Sequence, residues 1–396
     1  MTNEMSNVPE LRFPEFDGEW EEKMLGEVTI YKNGSSFENS VKNHGVFNLI
    51  TLKSVNTEGE LINSGKYIDD KSTETLCKGT LVMILSEQAP GLVGMTANIT
   101  RNNKYVLNQR VAALVPKQGI DSQFLSKLIN RNQKYFSVRS AGTKVKNISK
   151  GHVENFNFLA PNYTEQQKIG NFFSKLDRQI ELEEQKLSLL EEQKKGYMQK
   201  LFSQELRFKT KDNVYYSEWQ LHKLGEIFKY SQGQQISVDK QFSVKSNEMK
   251  RFIRIVDITE NPEPRFVLYE SDTGLVNKED LFMIRYGRPG IVSIGFEGII
   301  ANNLFKLIPK IKISTVYFYY LLSYNYYRIN LLTNQSTMPA LNFKSLDLLK
   351  FKIPSYKEQN KIGNFFTKFD ELIEKQNQKI DGLKKRKKGF LQKMFI

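Results

Sequence analysis

Apolar residues after Pro161 recur at alternating steps of four and three: Ile169, Phe173, Leu176, Ile180, Leu187, Leu190, Tyr197 and Leu201. Polar residues interrupt the series at Glu183 and Lys194. The same spacing follows Pro354, through Ile362, Phe366, Phe369, Ile373, Ile380, Leu383, Phe390 and Met394, with Gln376 and Lys387 as the interruptions. This spacing predicts two long helices, each with a heptad seam. Elsewhere the pattern shortens. Gly79–Leu85, Arg110–Val115, Arg251–Val256 and Gly290–Ile294 are brief apolar runs bounded by turn residues, and they read as strands. One helix is expected after the strands of each half, over Ser122–Tyr135 and Ser314–Tyr327. The predicted architecture is α+β: two similar mixed α/β domains with curved sheets, over 1–160 and 207–353. The long helices, over 161–206 and 354–396, separate them.

The two helices are copies. Residues 161–202 match 354–395 at 23 of 42 positions, beginning with Pro-x-Tyr-x-Glu-Gln-x-Lys-Ile-Gly-Asn-Phe-Phe in both. The duplication extends into the domains. Glu19-Trp20 and Leu25-Gly26-Glu27 return as Glu218-Trp219 and Leu224-Gly225-Glu226, and Tyr31 and Gly34 return as Tyr230 and Gly233. Leu81–Ile84 resembles Leu281–Ile284, and Pro90-Gly91 resembles Pro289-Gly290. Between these fixed points the halves diverge. Gly34-Ser-Ser-Phe faces Gly233-Gln-Gln-Ile, and Arg139–Lys146 faces Leu332–Pro339. A duplicated scaffold with unlike loops suits a target with two unlike parts, because loops carry function more often than the elements they join.

The polar interruptions suggest how the helices pair. A buried charge is costly unless a partner faces it. An antiparallel arrangement can set Glu183 against Lys387 and Lys194 against Gln376. In that register Leu187 meets Leu383, Leu190 meets Ile380, and Ile180 meets Phe390, with Ile373 continuing the seam. A pseudo-two-fold axis would then relate the halves. The overlap would be ~42 Å long, or ~12 base pairs of duplex.

Charge narrows the list of partners. Lys and Arg number 58 against 44 Asp and Glu, a formal net charge of +14, which favours a polyanion. The single cysteine, Cys77, excludes a disulfide framework and a cysteine-based zinc site. Residues 1–18 do not read as a signal peptide, and no apolar run reaches the ~20 residues of a membrane span. A cytoplasmic protein is expected. Catalytic signatures are missing: there is no phosphate-cradling Gly-rich loop, and His44, His152 and His222 lack metal-ligand spacing.

The duplicated helix opening and the Trp-x-x-x-x-Leu-Gly-Glu entry to each domain resemble the specificity subunit of type I restriction–modification enzymes over essentially the whole chain. That resemblance implies two target-recognition domains, each reading one half of a split, asymmetric site in double-stranded DNA. It also implies helices that fix the unread gap and dock two methyltransferase subunits. S-adenosylmethionine would act in those partners, and ATP and Mg2+ in restriction and translocase subunits, so this chain would bind no cofactor. Two other readings stay open: a self-contained DNA-modifying enzyme, and a purely structural coiled-coil scaffold.

Base contacts cannot be carried over from the resemblance, so candidates rest on residue chemistry alone. In the first domain they are Ser35, Ser36, Arg101, Lys104, Arg110, Arg139, Lys144, Lys146 and Asn147. In the second they are Gln234, Gln235, Arg254, Arg285, Arg288, Asn302, Asn303, Gln335 and Ser336.

Overall fold

The two copies of the pattern fold into two compact units, one made of Met1–Glu184 with Gln378–Ile396 and the other of Gln185–Asn377. The computed structural model describes residues 7–37, 39–70, 72–87, 91–142, 146–260, 262–333 and 339–396. Both long helices are present, over Tyr163–Phe202 and Tyr356–Lys393. The units cut across the linear segments read from sequence, since each takes the opening of one long helix and the closing part of the other.

In the first unit a four-stranded antiparallel sheet runs in the order Thr29–Asn33, Val111–Pro116, Leu81–Ile84, Thr96–Asn98. Beside it a three-stranded sheet runs Tyr67–Ile68, Phe47–Ile50, Tyr105–Leu107, the last pair parallel. The second unit repeats the plan. Its sheets run Phe228–Gln232, Leu304–Pro309, Leu281–Ile284, Val292–Ser293, and Arg265–Leu268, Met249–Ile253, Gly298–Ile300, Leu275–Val276. Register is conserved between the copies: Tyr31 pairs with Leu114, and Tyr230 with Leu307.

Two elements within the domains differ from the sequence reading. Each domain helix is broken, after Arg131 and after Tyr324, where Asn132 and Asn325 cap one helix and open the next. The run Arg251–Val256 is a strand only to Ile253. Ile255 and Val256 begin a short helix because the Asp257 carboxylate accepts from the Arg254 backbone N–H and draws the chain into a turn.

The copied helix openings are accounted for position by position. Asn162 caps the first helix by accepting from the Glu165 N–H at 2.9 Å. Gln166 donates to the Pro161 carbonyl and accepts from Asp121 N–H; Gln359 does the same with Pro354 and Ser314. Ile169, Phe173, Ile362 and Phe366 are buried in their units' cores. Gly170 sits so close to the start of the Ser122–Arg131 helix that an added side-chain carbon would meet Gln123 Cβ at 2.8 Å. The copied residues Gln166, Ile169, Phe173 and their counterparts each have buried neighbours to lose, so drift is resisted there.

Each core also recruits the end of a long helix. Met394 and Phe395 join Trp20, Phe124 and Phe173 in the first unit. Leu201 joins Trp219, Tyr317 and Phe366 in the second, with Phe202 packed against them. A main-chain bond accompanies this in both copies, Leu11 N–H to Lys393 O and Leu206 N–H to Lys200 O.

Within each unit the two long helices run antiparallel, as expected, but in another register. Lys387 takes Asp177 at 2.6 Å in place of Glu183, while Glu183 takes Lys379. Lys194 takes Asp370 in place of Gln376. Phe390 stacks edge-on against Phe172 in place of Ile180. The shift is about six residues, nearly two turns. A pair of carboxylates outside the heptad seam accompanies it. Asp177 and Asp370 hold equivalent positions and capture equivalent lysines, and each is also bound from its domain, by Lys127 at 2.6 Å and by Tyr320 respectively. The seam residues Ile180, Gln376, Ile380 and Leu383 are buried, whereas Leu187, Leu190 and Ile373 are half-buried.

Asp177 ties stability to pH. Burial favours its protonated form more than any other single influence, but Lys127 and Lys387 together outweigh burial and hold the carboxyl below its ordinary value of 3.8. A lowered folded value gives stability that is complete above about pH 4 and is lost as pH falls through the folded value. Asp177→Asn is expected to cost the first unit about 1–3 kcal/mol at pH 7 and to flatten its stability profile below pH 4. Denaturant titrations across that range check this; an unchanged acid limb would show that Asp177 contributes no linkage.

Candidate nucleic-acid interface

The four-stranded sheet ends in a cluster of loops in each unit, and glycine sets their approach. Gly34 and Gly233 lie so near the Asn108 and Ala301 carbonyls that any side-chain carbon would collide with them. This closeness lets Ser35 bridge to Asn108 and Gln234 to Ala301 in parallel fashion, with Ser35 N–H donating to Leu107 O and Gln234 N–H to Ile300 O. Unlike side chains thus occupy one backbone frame: exposed Ser35 and Ser36 in one unit, half-buried Gln234 and exposed Gln235 in the other.

Arg110 and Asn303 face each other in the repeat, each just before the strand that pairs with the glycine loop. Arg110 is exposed and holds φ at +64°, a conformation that strains an L side chain. Its carbonyl accepts from Leu85 N–H, as that of Asn303 accepts from Arg285 N–H. Arg110→Gly would relieve the strain, so folded stability is expected to change by less than about 1 kcal/mol while duplex affinity falls by about 1–3 kcal/mol. Thermal melts and binding isotherms on one preparation separate the two; unchanged affinity would make Arg110 a turn residue only.

The other candidates of the first unit scatter. Asn147 and Lys146 form a short strand against Ser86–Glu87, with Ser86 Oγ donating to Asn147 Oδ1. Arg139 lies over the Tyr135 ring, 3.8 Å from its centroid, at the start of the same segment. Lys144 falls outside the described residues. Arg101 and Lys104 lie beyond the opposite end of the Tyr105–Leu107 strand, in a turn whose Asn102 accepts from Lys78 N–H. They are not brought to the Ser35–Asn108 edge.

In the second unit the arginines have distinct employments. Arg285 donates to Gln232 Oε1 at 2.7 Å and lies over the Phe343 ring, so it fastens the loops from inside. Arg254 is tied to the buried Asp257 carboxylate and the Glu263 carbonyl, and Arg251 shares the same carboxylate. Arg288 is exposed and 4.0 Å from Glu260. Asn302 is exposed, and its carbonyl accepts from Gln232 Nε2. Gln235, Arg254, Asn302 and Asn303 line one cavity of about 420 Å3 together with Gln241 and Arg265. Gln335 and Ser336 fall outside the described residues. Sequence reading missed Arg265 and Gln241. The signal available for Arg265 was its place in a Pro-x-Pro-Arg turn opening a strand.

Among the described residues no group of three or more His, Cys, Asp or Glu could hold a metal ion, and no helix is long and apolar enough to cross a membrane.

Fold and site together define a tandem of two copies of one α/β module, each displaying its own loops on a shared frame. The family model "Type I restriction modification DNA specificity domain" matches residues 17–192 and 216–385, and the chain belongs to that family. The type I restriction enzyme MjaVIII specificity subunit of Methanocaldococcus jannaschii is 26% identical over 182 residues, 45% of this chain and 42% of that protein. The provisionally named MjaX specificity subunit of the same organism is 23% identical over 410 residues, 97% of this chain and 95% of its own. The fold is that of the type I restriction–modification S subunit of M. genitalium, with a TM-score of 0.65 at 18% identity over 98% of this chain and 99% of that one.

Proposed function

We propose that this chain is the non-catalytic DNA-reading subunit of a type I restriction–modification complex. Each unit reads one half of a bipartite, asymmetric site, and the paired long helices set the gap and dock two methyltransferase subunits. S-adenosylmethionine, ATP and Mg2+ then belong to the methyltransferase and restriction/translocase partners. The observation that carries this reading is the repeated frame with exchanged chemistry: Ser35, Ser36 and Arg110 stand where Gln234, Gln235 and Asn303 stand in the other copy. Hydroxyls, amides and guanidinium groups make different hydrogen bonds to base edges, so one frame can read two sequences. The net charge of +14 supplies the sequence-independent part of binding.

Selection from a random duplex pool, with the full chain and its methyltransferase partners, tests the reading. The expected product is a motif of two short blocks separated by an unread gap. Replacing Gln234 and Gln235 by serine should alter one block only. A contiguous motif, or none, overturns the proposal.

A further inference from the structure

The cavity of the second unit holds one arginine that the protein does not use. Arg265 opens the strand Arg265–Leu268, and its backbone pairs with Phe252. Its side chain is half-buried and, among the described residues, has no acidic, carbonyl or aromatic partner. Every other arginine near it has one: Arg251 and Arg254 have Asp257, Arg285 has Gln232, and Arg288 has Glu260 at 4.0 Å. The cavity is floored by buried Phe252 and Ala301 and rimmed by exposed Gln235 and Asn302. A guanidinium kept partly out of water over an apolar floor, with no partner, is unfavourable until an acceptor arrives. A guanidinium fork can hold two acceptors side by side, on a phosphate or on a base edge. Its place inside a concavity rimmed by the amides of Gln235 and Asn302 favours the base edge.

We propose that Arg265 is a specificity-determining residue that reads a guanine, donating two parallel hydrogen bonds to O6 and N7 from the major groove. This rests on the second unit reading a half-site. Bidentate arginine is the commonest guanine contact, and loss of such a pair relaxes the choice of base at one position. The amides of Gln235 and Asn302 stand beside it for the adjoining base pair. The first unit has no arginine in the matching strand, Tyr67–Ile68, and Arg110 is exposed beside its glycine loop. The halves would then place their arginine contacts differently.

The test uses the full chain with its methyltransferase subunits and a random duplex pool. The wild-type complex should select a split motif with a fixed guanine in one block. Arg265→Ala and Arg265→Met should each lose the guanine requirement at that position, a preference of ten-fold or more falling to near none, with the other block intact. The side chain has no internal partner, so both variants should melt with the wild type. Equal weakening on every duplex would mark a phosphate contact and overturn the assignment, as would an unchanged motif. If the wild-type complex itself selected no split motif, the parent reading would fail with it, which sets that failure apart from loss of the guanine assignment alone.

Discussion

Phe395→Ala is expected to destabilise the first unit by about 3–5 kcal/mol, the usual cost of deleting a fully buried phenylalanine. Phe395 is 3% exposed and belongs to that core. Its ring stacks on Phe124 at 5.3 Å and meets Phe173 at 5.8 Å and Trp20 at 6.4 Å. Nothing local can refill the space, because Met394 is already buried beside it. The second unit contains none of these rings, so its stability should not change. Hydrogen exchange resolved by segment makes the comparison within one sample. Protection should fall across Leu81–Ile84 and Val111–Pro116 and hold across Leu281–Ile284 and Leu304–Pro309. A uniform loss over both units would show that they unfold as one and that the division into two cores has no energetic meaning. If the units read separate half-sites, the variant should also lose selectivity in one block of the motif first.

That asymmetry bears on how much the sequence could tell. The duplication, the long helices and the central strands were legible, because a copied pattern is a far stronger signal than propensity, and Leu81–Ile84 and Val111–Pro116 are hydrophobic on both faces. The antiparallel sense of the helices within each unit was expected, but the polar pairings offered for it are not the ones that form. Their register was not. A heptad count weighs apolar contacts and scores Asp177 and Asp370 as surface. Each carboxylate nevertheless pairs with a lysine of the other long helix and with a group on its own domain, and those contacts fit the observed alignment. Partners that come from three separate parts of the chain leave no mark in local periodicity.

The candidate interface was legible in part for a similar reason. Glycine at 34 and 233 marks a close backbone approach, and the residues after it sit at the loop edge. Choosing among arginines by type alone did not work. Arg254 and Arg285 are spent inside the protein, and Arg265 is unspent, which only the pairing of strands and carboxylates reveals. Charge counts where it is left uncompensated.

The duplicated carboxylates at the helix openings give the second large effect, and here the copies have solved one problem in two ways. Glu165 and Glu358 are both wholly buried. Arg12 engages both oxygens of Glu165, at 2.8 and 2.7 Å. Arg207 and the Trp219 indole N–H instead share one oxygen of Glu358, at 3.2 and 3.1 Å, and the other oxygen has no donor among the described residues. Burial accordingly pushes the Glu358 carboxyl above its ordinary value, with Arg207 and Trp219 only partly opposing it. Arg207→Ala should therefore cost about 3–5 kcal/mol at pH 7.5, the price of a buried charge stripped of its partner. The sign of the pH dependence follows. A folded value raised above 4.5 makes this site's contribution complete below that pH and diminishing as pH rises through the folded value. Removing Arg207 raises the carboxyl further, so the variant can shed its penalty by taking up a proton. At pH 5 its deficit relative to wild type should shrink to less than half. Denaturant melts of the second unit at both pH values, with Trp219→Phe as a milder companion, measure this directly. A deficit that stayed constant with pH would mean that Arg207 acts through its hydrogen bonds to the Tyr216 and Ser217 carbonyls and that the buried charge is held by something else.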